Sequence, residues 1–359
     1  MNVKRAFDRV PVDRDAEERT WAVVRAAYAE REQVRVRPRR RRLMLAAVVV
    51  AAAAAAATLS SPGRAVVDAV RRTIGISHAT PALFRLPAPG RLLVSGVGGT
   101  WVVSADGSKR RLGDYTQAAW SPHGLYVVAA TPDELAAVQP NDGTVHWSLA
   151  RPGIDFPRWG GSRTDTRVAY LSEGRLRVVA GDGTGDAAAG AASRIAPAWR
   201  PGNRRQLAFV TSAGRVRLAG AWRSARLYAS PRELVWSPSG ASLLLVTARQ
   251  LVLFDPASGR AQALPLAGVS AAAFSRQGRL AVVRGKALLL LDGERTRTVF
   301  RTLGALHGLA WSPNGRWILT ALPSADQWIF VGGKRVLAVS NIARQFGGAP
   351  ALDGWMPGA

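Results

Sequence analysis

Few side chains in this chain have the types and spacing that catalysis or metal binding requires. The 359 residues include no Cys, which excludes disulfides, thiolate metal sites and a Cys nucleophile. The four His residues form neither an HExxH motif nor a His-Cys pattern, and they are His78, His123, His146 and His307. The sequence therefore predicts no catalytic, metal or cofactor-binding residues, and we expect no enzyme.

Three short motifs resemble catalytic or ligand loops, and each is explained more simply as a turn. Residues 75–79, GISHA, match G-x-S-x-G only loosely and precede the repeat region instead of following a strand. Residues 181–186, GDGTGD, could be compared with a calcium loop, but a flexible turn is the favoured interpretation. Residues 95–101, SGVGGTW, resemble a sialidase Asp-box without its Asp, and a plain hairpin is favoured there.

The elements that must position any site come from a repeat that fills the chain after residue 80. The stretch LAWSPNGRWILTAL, residues 309–322, shows its pattern: an apolar run ends in Trp311, a Ser-Pro-Asn-Gly turn follows, and a strand-like run comes next. The anchors of this pattern recur every 37 to 44 residues, and they are Trp120, Trp159, Trp199, Trp236, Phe274, Trp311 and Trp355. A period of about forty residues with strand-like alternation is typical of a β-propeller.

A second recurring pattern, a strand–turn–strand hairpin, gives the number of blades. Each period also contains a Val- and Leu-rich strand, a tight Gly turn and another strand, as in AAVQPNDGTVHW and LVLFDPASGRAQAL. Seven such hairpins occur, so the sequence predicts an all-β fold, a seven-bladed β-propeller over residues 80–359 with repeats of about 37–40 residues. Large aromatic residues at a fixed repeat position predict packing between blades, so we expect the anchors to be structural.

The two ends of the repeat region predict how the ring closes. The first blade has no Trp turn of its own, and the last Trp turn, around Trp355, has no blade after it. We expect the tail APALDGWMP, residues 349–357, to supply a strand to the first blade and so remove an exposed sheet edge. In the alternative layout, residues 82–86 supply that strand and the tail packs outside.

The repeated hairpin resembles the repeat of known β-propeller families. AWSPNGRWILTA resembles the W-S-P-D-G-K-x-I-A element of TolB-like and WD-repeat-like propellers, and the likeness extends over residues 80–357. VQPNDGTVHWSLA resembles the strand-turn-strand of quinoprotein-type propeller repeats. The turn Asp of the family is replaced here by His123, Asn203, Ser239 or Asn314. The resemblance implies a propeller that acts as a binding platform.

The formal net charge of the chain is +25, and most of its basic residues are Arg. An excess of Arg, Ala and Gly can follow from GC-rich coding, which is one explanation of this charge. The other is functional, because a basic surface attracts anionic polymers and acidic lipid headgroups. An anionic envelope polymer or lipid headgroups are therefore expected partners beside a protein, and no specific nucleic-acid partner is predicted.

Residues 43–59, LMLAAVVVAAAAAAATL, form an uncharged run that predicts a single transmembrane helix. Arg37 and the run of Arg at 39–42 precede it, so the positive-inside rule places residues 1–42 in the cytoplasm and the propeller outside. The run RRRLMLAA also resembles a twin-Arg export signal, which gives the same topology, and a buried Ala-rich helix is the remaining alternative. Residues 60–79 are predicted to be a linker or juxtamembrane helix.

Residues 1–42 contain one helix signal. Asp15 and Glu18 have the spacing of a capping box, and after them Trp21, Val24 and Tyr28 form an apolar stripe on a charged helix. A lone amphipathic helix cannot bury such a stripe, so it would dock on a protein, lie on the inner leaflet, or fray. Trp21, Val24 and Tyr28 are therefore the candidate cytoplasmic contact with a partner.

Together these patterns predict a single-pass, membrane-anchored, extracytoplasmic propeller that acts as a non-enzymatic binding or scaffold module. The alternative is a transmembrane regulator, because a short cytoplasmic stub, one span and an external domain resemble the layout of anti-sigma factors. The zinc type of anti-sigma factor needs His and Cys, so the lack of Cys excludes that subtype. An enzyme on a propeller scaffold is a third hypothesis, which paired carboxylates near the central channel would favour.

Overall fold

The computed structural model describes residues 85–162, 164–202, 206–219, 231–293 and 295–358, together with the backbone of Ile76–His78. These residues form seven sheets, and neighbouring strands are antiparallel except where Ile76–His78 joins the last blade. In six of the seven sheets, the innermost strand is the one that begins the repeat. In the sheet of the first repeat, the C-terminal strand Ala351–Met356 takes the innermost position. The innermost strands of successive blades adjoin one another around a ring. The predicted seven-bladed β-propeller is thus confirmed.

The strands of the first four blades follow in chain order. After β1 (Ile76–His78), blade 1 contains β2 (Arg91–Gly96), β3 (Gly99–Ser104) and β4 (Lys109–Gly113). Blade 2 contains β5 (Gln117–Trp120), β6 (Val127–Ala130), β7 (Glu134–Val138) and β8 (Val145–Ala150). Blade 3 contains β9 (Ile154–Gly161), β10 (Thr166–Ser172), β11 (Arg175–Ala180) and β12 (Ala187–Ala191). The described part of blade 4 contains β13 (Ala198–Trp199), β14 (Leu207–Val210) and β15 (Val216–Ala219).

The remaining blades repeat the arrangement. Blade 5 contains β16 (Pro231–Trp236), β17 (Leu243–Thr247), β18 (Leu251–Phe254) and β19 (Ala261–Leu264). Blade 6 contains β20 (Val269–Phe274), β21 (Leu280–Arg284), β22 (Ala287–Asp292) and β23 (Arg295–Arg301). Blade 7 contains β24 (His307–Trp311), β25 (Ile318–Leu322), β26 (Gln327–Gly332) and β27 (Arg335–Ser340). A 3-10 turn (Pro323–Ala325) and the short helix α1 (Ile342–Phe346) complete the described elements with β28 (Ala351–Met356).

Burial explains why the strands differ in composition. The second strand of a blade is covered on both faces by the adjacent blades, so β6 and β17 are almost wholly apolar and fully buried. The outermost strands face solvent, so β8 and β23 are mostly exposed, and β23 is also largely polar. The core thus consists of apolar layers between neighbouring blades.

The tail closes the ring, as expected from the sequence. Strand β28 pairs antiparallel with β2, with Leu92 opposite Trp355. The alternative, in which residues 82–86 supply this strand, is wrong, because the innermost position of blade 1 belongs to β28. Leu86 instead donates its N–H to the carbonyl of Ala105. At the other edge of blade 7, β1 pairs in parallel with β27.

The strand directions define two faces of the ring. We call the upper face the one on which each innermost strand begins, and the same face carries the loops between the second and third strands. The lower face carries the Ser-Pro-x-Gly turns after the Trp anchors and the turns between the third and fourth strands. These names follow from the antiparallel order of each blade.

The predicted N-terminal elements fall outside this description. The cytoplasmic stub 1–42 and the transmembrane segment 43–59 lie outside the described residues. Of the linker 60–79, only Ile76–His78 is described, and it is a strand. Within the described part of the chain, every helix is too short to cross a bilayer.

Candidate functional site in the central channel

The aromatic anchors recur at one structural position, at or near the lower end of each innermost strand. Trp120, Trp236 and Trp311 are the last residues of β5, β16 and β24. Of the others, Trp159 and Trp355 are buried, whereas Trp199 and Phe274 are half-buried. Each anchor therefore lies where one blade meets the next.

Four of the Trp anchors bind the preceding blade in the same way. The indole N–H of Trp236 donates to the carbonyl of Ala198, the residue just before the anchor of the preceding blade, at 3.0 Å. The equivalent bonds join Trp311 to Ala273 at 3.0 Å, Trp199 to Arg158 at 3.0 Å and Trp120 to Gly354 at 3.3 Å. Phe274 cannot make this bond, and the indole nitrogens of Trp159 and Trp355 have no partner among the described residues.

At three blade boundaries an Arg of the preceding blade completes the contact. Arg91, Arg200 and Arg279 lie 5.1, 5.3 and 4.9 Å from the ring centroids of Trp120, Trp236 and Trp311. Each also donates to the carbonyl of the turn Gly four residues after that Trp, and these residues are Gly124, Gly240 and Gly315. The repeated residues thus hold blades together.

The residues that do not repeat gather in the channel. Arg158 lies on β9, Glu233 on β16 and Asp353 on β28, which are innermost strands of three different blades. Arg158 interacts electrostatically with Glu233, Asp353 and Asp155. All three strand residues are half-buried, since they line the ring's interior and retain some access to solvent. Burial lowers the pKa of Arg158, and the three carboxylates oppose that shift.

Asp155 is held from two sides. The side-chain amide of Gln117, on the innermost strand of blade 2, donates to Asp155 Oδ1 at 2.6 Å, and Arg194 Nε donates to Oδ2 at 2.5 Å. Gln117 Oε1 in turn accepts the N–H of Phe156 at 2.7 Å. Phe156 has a φ of 51°, so a bulge in β9 brings its N–H to this position. Asp155 therefore serves as a link between blades 2 and 3.

The carboxyl groups of Glu233 and Asp353 accept fewer hydrogen bonds than that of Asp155 does. Burial raises the pKa of Glu233 to about 7, although the Ala272 N–H, 3.2 Å from Oε2, and Arg158 act in the opposite direction. Burial likewise raises the pKa of Asp353 to about 7, opposed by a hydrogen bond from Ser95 and by Arg158. Oδ2 of Asp353 is buried and has no hydrogen-bond partner among the described residues. Both carboxyls can therefore gain or lose a proton near neutral pH.

The channel residues Arg158, Glu233 and Asp353 are not among the residues that the sequence patterns predict to be functional. The usable signal was a charged residue within four positions before an anchor, as in IDFPRW, ELVW and LDGW, because that stretch forms an innermost strand. Their proximity could not be predicted, since closure by β28 is what brings Asp353 beside residues 158 and 233. The channel is the candidate functional site.

The weaker motifs have structural roles. Asp182 accepts the N–H and hydroxyl of Thr184, and Asp186 is bound by Arg151, Arg177 and Tyr170. The favoured interpretation of GDGTGD as a turn agrees with these bonds, because they occupy the carboxylates that a calcium ion would need. Among the described residues, no group of three or more His, Asp or Glu could hold a metal ion. Residues 95–101 form the hairpin of β2 and β3.

Among the described residues, no His forms a hydrogen bond or ion pair with a channel carboxyl. His123 belongs to a lower-face turn, and His307 begins β24. His146 lies on the exposed strand β8 and hydrogen-bonds Gln139 at 3.0 Å. His78 ends β1, which pairs with β27 in place of a strand-to-helix elbow.

No protein-family model matches the chain, and no curated protein matches it. Solved structures match its fold. A chain in the crystal structure of the mitotic checkpoint complex matches with a TM-score of 0.54 and 15% identity, over 71% of this chain and 92% of its own. A putative 6-phosphogluconolactonase from Bacteroides uniformis matches with a TM-score of 0.51 and 15% identity, over 70% and 97%.

A third match is the β-propeller domain of Cps50 (Swd1) from Myceliophteria thermophila, with a TM-score of 0.50 and 13% identity, over 63% of this chain and 86% of that one. At these identities the likeness shows the fold alone. The chain thus has β-propellers as structural neighbours, and its likeness to WD-repeat-like and TolB-like propellers remains a resemblance of sequence motifs.

Proposed function

We propose that this chain is a single-pass, membrane-anchored binding module whose propeller lies on the extracytoplasmic side. The observation that carries the proposal is the division between repeated and unrepeated residues. Trp and Arg at repeated positions hold blades together, whereas the charges of the channel and of the upper-face loops differ from blade to blade. Binding specificity in a repeat fold lies in what is not repeated.

The membrane part of the proposal is supported by sequence. Residues 43–59 carry no charge, and the Arg cluster at 39–42 precedes them. The propeller fold itself is compatible with a protein partner: one structural neighbour belongs to a complex, the mitotic checkpoint complex. Anionic envelope polymers or lipid headgroups remain proposed partners because the chain is strongly basic.

A reporter that is active only in the cytoplasm, fused after Ala359, tests the topology. The proposal predicts an inactive fusion, and a fusion of the same reporter before Met1 should be active. An active fusion after Ala359 would contradict extracytoplasmic display.

One observation favours a second candidate function, an enzyme of the hydrolase or lyase class. Glu233 and Asp353 are channel carboxyls with pKa values of about 7, which suits general acid–base catalysis. Against it, Glu233 Oε2 already accepts the Ala272 N–H. A panel of glycoside, ester and lactone substrates separates the two: a hydrolase would turn one over, and Glu233→Gln with Asp353→Asn would abolish that turnover.

In the regulator hypothesis, the protein has the same membrane architecture but controls transcription instead of only binding a partner outside the cell. There the propeller would sense a ligand outside, and the stripe of Trp21, Val24 and Tyr28 would contact a sigma factor inside. The stripe lies outside the described residues, so its support comes from the sequence.

A further inference from the structure

Six exposed basic side chains lie on the upper face of three consecutive blades. Arg215 belongs to the loop before β15 in blade 4, Arg249 to the loop between β17 and β18, and Arg284 and Lys286 flank the loop between β21 and β22. The other two are Arg232, near the start of β16, and Arg301, which ends β23. We call these six residues the basic sector.

Backbone hydrogen bonds hold the loops of blades 5 and 6 that carry sector residues. Thr302 donates its N–H to the carbonyl of Lys286 at 3.0 Å, which brings the end of β23 next to the loop of blade 6. Leu306 donates to Gly285 at 2.9 Å, and Gly268 donates to Ala248 at 3.3 Å. The strand order places all six side chains on the upper face of blades 4, 5 and 6, which follow one another around the ring and so spread these charges along an arc.

The sector differs from the structural arginines in what its side chains do. Arg91, Arg200 and Arg279 are bound to Trp rings and to carbonyls at blade boundaries. Within the described residues, none of the six sector side chains forms an ion pair or a side-chain hydrogen bond. An exposed cation without a partner keeps its full charge available to a ligand.

Composition alone does not explain the sector, because the charge is uneven around the ring. Residues 211–302, which contain the sector, hold thirteen Arg and one Lys against four acidic residues, and these are Glu233, Asp255, Asp292 and Glu294. The corresponding upper-face loops of blades 2 and 3 are mainly acidic, with Asp133, Glu134 and Glu173 beside one exposed cation, Arg175. GC-rich coding would raise the Arg content without separating charges by blade.

The surface chemistry favours a flexible polymer over other anionic partners. Protein interfaces and membrane-binding surfaces commonly add apolar anchors to their charge. Among the described residues, the exposed large apolar side chains are Val97, Leu125, Val145 and Leu303, and of these only Leu303 borders the sector. Single-stranded nucleic acid is usually bound on exposed aromatic rings, and the described residues of the sector expose none.

We propose that the basic sector binds a linear, non-nucleic polyanion, a chain with phosphate or carboxylate groups at regular spacing. The inference rests on the proposed function in one respect, that the propeller is a binding module. Several cations spread along an arc can each neutralise one group of such a chain and release its counterions, so binding should weaken steeply with salt.

The test measures binding of fluorescently labelled polyphosphate to the full chain, purified in detergent, by fluorescence anisotropy. The sector variant carries Arg232→Gln, Arg249→Gln, Arg284→Gln and Lys286→Gln. The matched control carries four substitutions of the same kinds at exposed lower-face positions, Arg260→Gln, Arg276→Gln, Arg316→Gln and Lys334→Gln. Both variants lose the same net charge.

The sector variant should bind polyphosphate at least about tenfold more weakly at about 0.1 M salt, with a shallower dependence on salt, and the control should change less than about twofold. A third variant with Lys in place of Arg at 232, 249 and 284 keeps the charge and should retain binding. If the sector variant lowers the melting midpoint, the pair Arg249→Gln and Lys286→Gln should still weaken binding more than Arg260→Gln with Lys334→Gln does.

Equal weakening by the sector and control variants would overturn the proposal in favour of general charge attraction. Tight binding to phosphatidylglycerol vesicles or to a single-stranded oligonucleotide, without binding to polyphosphate, would also overturn it. These failures would leave the proposed function standing, because topology is measured separately. Cytoplasmic exposure of the propeller would contradict the proposed function even if polyphosphate bound.

Discussion

The guanidinium of Arg279 lies 4.9 Å from the ring centroid of Trp311, across the boundary between blades 6 and 7, and also donates to the carbonyl of Gly315. Trp311 in turn donates its indole N–H to Ala273 in the blade of Arg279. The two residues therefore hold one boundary from both sides. The same arrangement occurs for Arg91 with Trp120 and for Arg200 with Trp236.

Substitutions at this boundary should separate packing from hydrogen bonding. Trp311→Ala should lower the free energy of unfolding by about 3–5 kcal/mol, because it removes a large buried side chain. Trp311→Phe should lower the free energy of unfolding less than Trp311→Ala does. It leaves the Ala273 carbonyl without its hydrogen bond, which costs about 1 kcal/mol, and it removes less buried surface. Urea unfolding measures both, and an unchanged midpoint for Trp311→Ala would refute the packing role.

Arg279→Gln should destabilise the protein more than Arg276→Gln, because Arg276 lies exposed on the same turn and makes none of these contacts. In a double-mutant cycle, Arg279→Gln and Trp311→Ala should be less destabilising together than the sum of the single changes, by about 0.5–2 kcal/mol. Additive effects would mean that the two side chains do not interact.

Removal of the tail should open the ring. Deletion of residues 349–359 removes β28, the buried Trp355 and the Gly354 carbonyl that accepts from Trp120, and it exposes the edge of β2. We expect broader thermal unfolding and aggregation by light scattering. Deletion of residues 357–359, which follow β28, is the matched control and should change little. A protein without residues 349–359 that melts like the full chain would contradict this closure.

The channel carboxyls should make stability depend on pH. Glu233 and Asp353 have pKa values of about 7 in the folded protein, raised from ordinary values of 4.5 and 3.8. The folded state therefore binds protons more strongly than the unfolded state, so stability should fall as pH rises from about 4.5 to about 7.5 and then level off. Asp106, Asp142 and Asp186 have lowered pKa values, so their contribution is lost only at lower pH.

Calorimetry of the full chain across this range tests the assignment. The double variant Glu233→Gln and Asp353→Asn should show a much flatter dependence of Tm on pH than the unmodified chain. Asp114→Asn, at an exposed position paired with Arg111, is a control that should keep the original dependence. A double variant with an unaltered slope would show that other groups titrate in this window.

The sequence was informative where one residue type marks one structural position. The Trp anchors and Gly turns predicted seven blades because every blade places an aromatic residue at its lower boundary and, where the structure describes it, a tight turn after its third strand. The partner of each anchor was not predictable, since a backbone carbonyl accepts the indole N–H whatever its side chain. Trp199 donates to the carbonyl of Arg158, and Trp236 to that of Ala198.

The roles of charged residues were much less predictable. Arg279 and Arg284 are five positions apart and chemically alike, yet Arg279 holds a blade boundary and Arg284 is exposed on the opposite face. The difference depends on strand direction and on the position of the next blade. Arg158 and Asp353 are far apart in sequence, and only ring closure makes them interact.

The apolar stripe of the stub provides a separate prediction. If the protein docks on a cytoplasmic partner, Trp21→Ala in the full chain should weaken that interaction by about 2 kcal/mol or more, because interface aromatics often dominate binding. Glu17→Gln should matter less and depend on salt. Quantitative capture of a purified sigma factor would support the regulator hypothesis. Binding of anionic vesicles that Trp21→Ala abolishes, without protein capture, would assign the stripe to the inner leaflet.

The central claim is that the propeller is displayed across the membrane from the N-terminus, and the lack of Cys allows a direct measurement. Ala257→Cys places a single thiol on an exposed lower-face turn, and Ala6→Cys places one in the N-terminal stub. In right-side-out membrane vesicles, a membrane-impermeant maleimide should label Ala257→Cys at once and Ala6→Cys only after permeabilisation. Labelling of Ala6→Cys in intact vesicles, with Ala257→Cys protected until permeabilisation, would contradict the account.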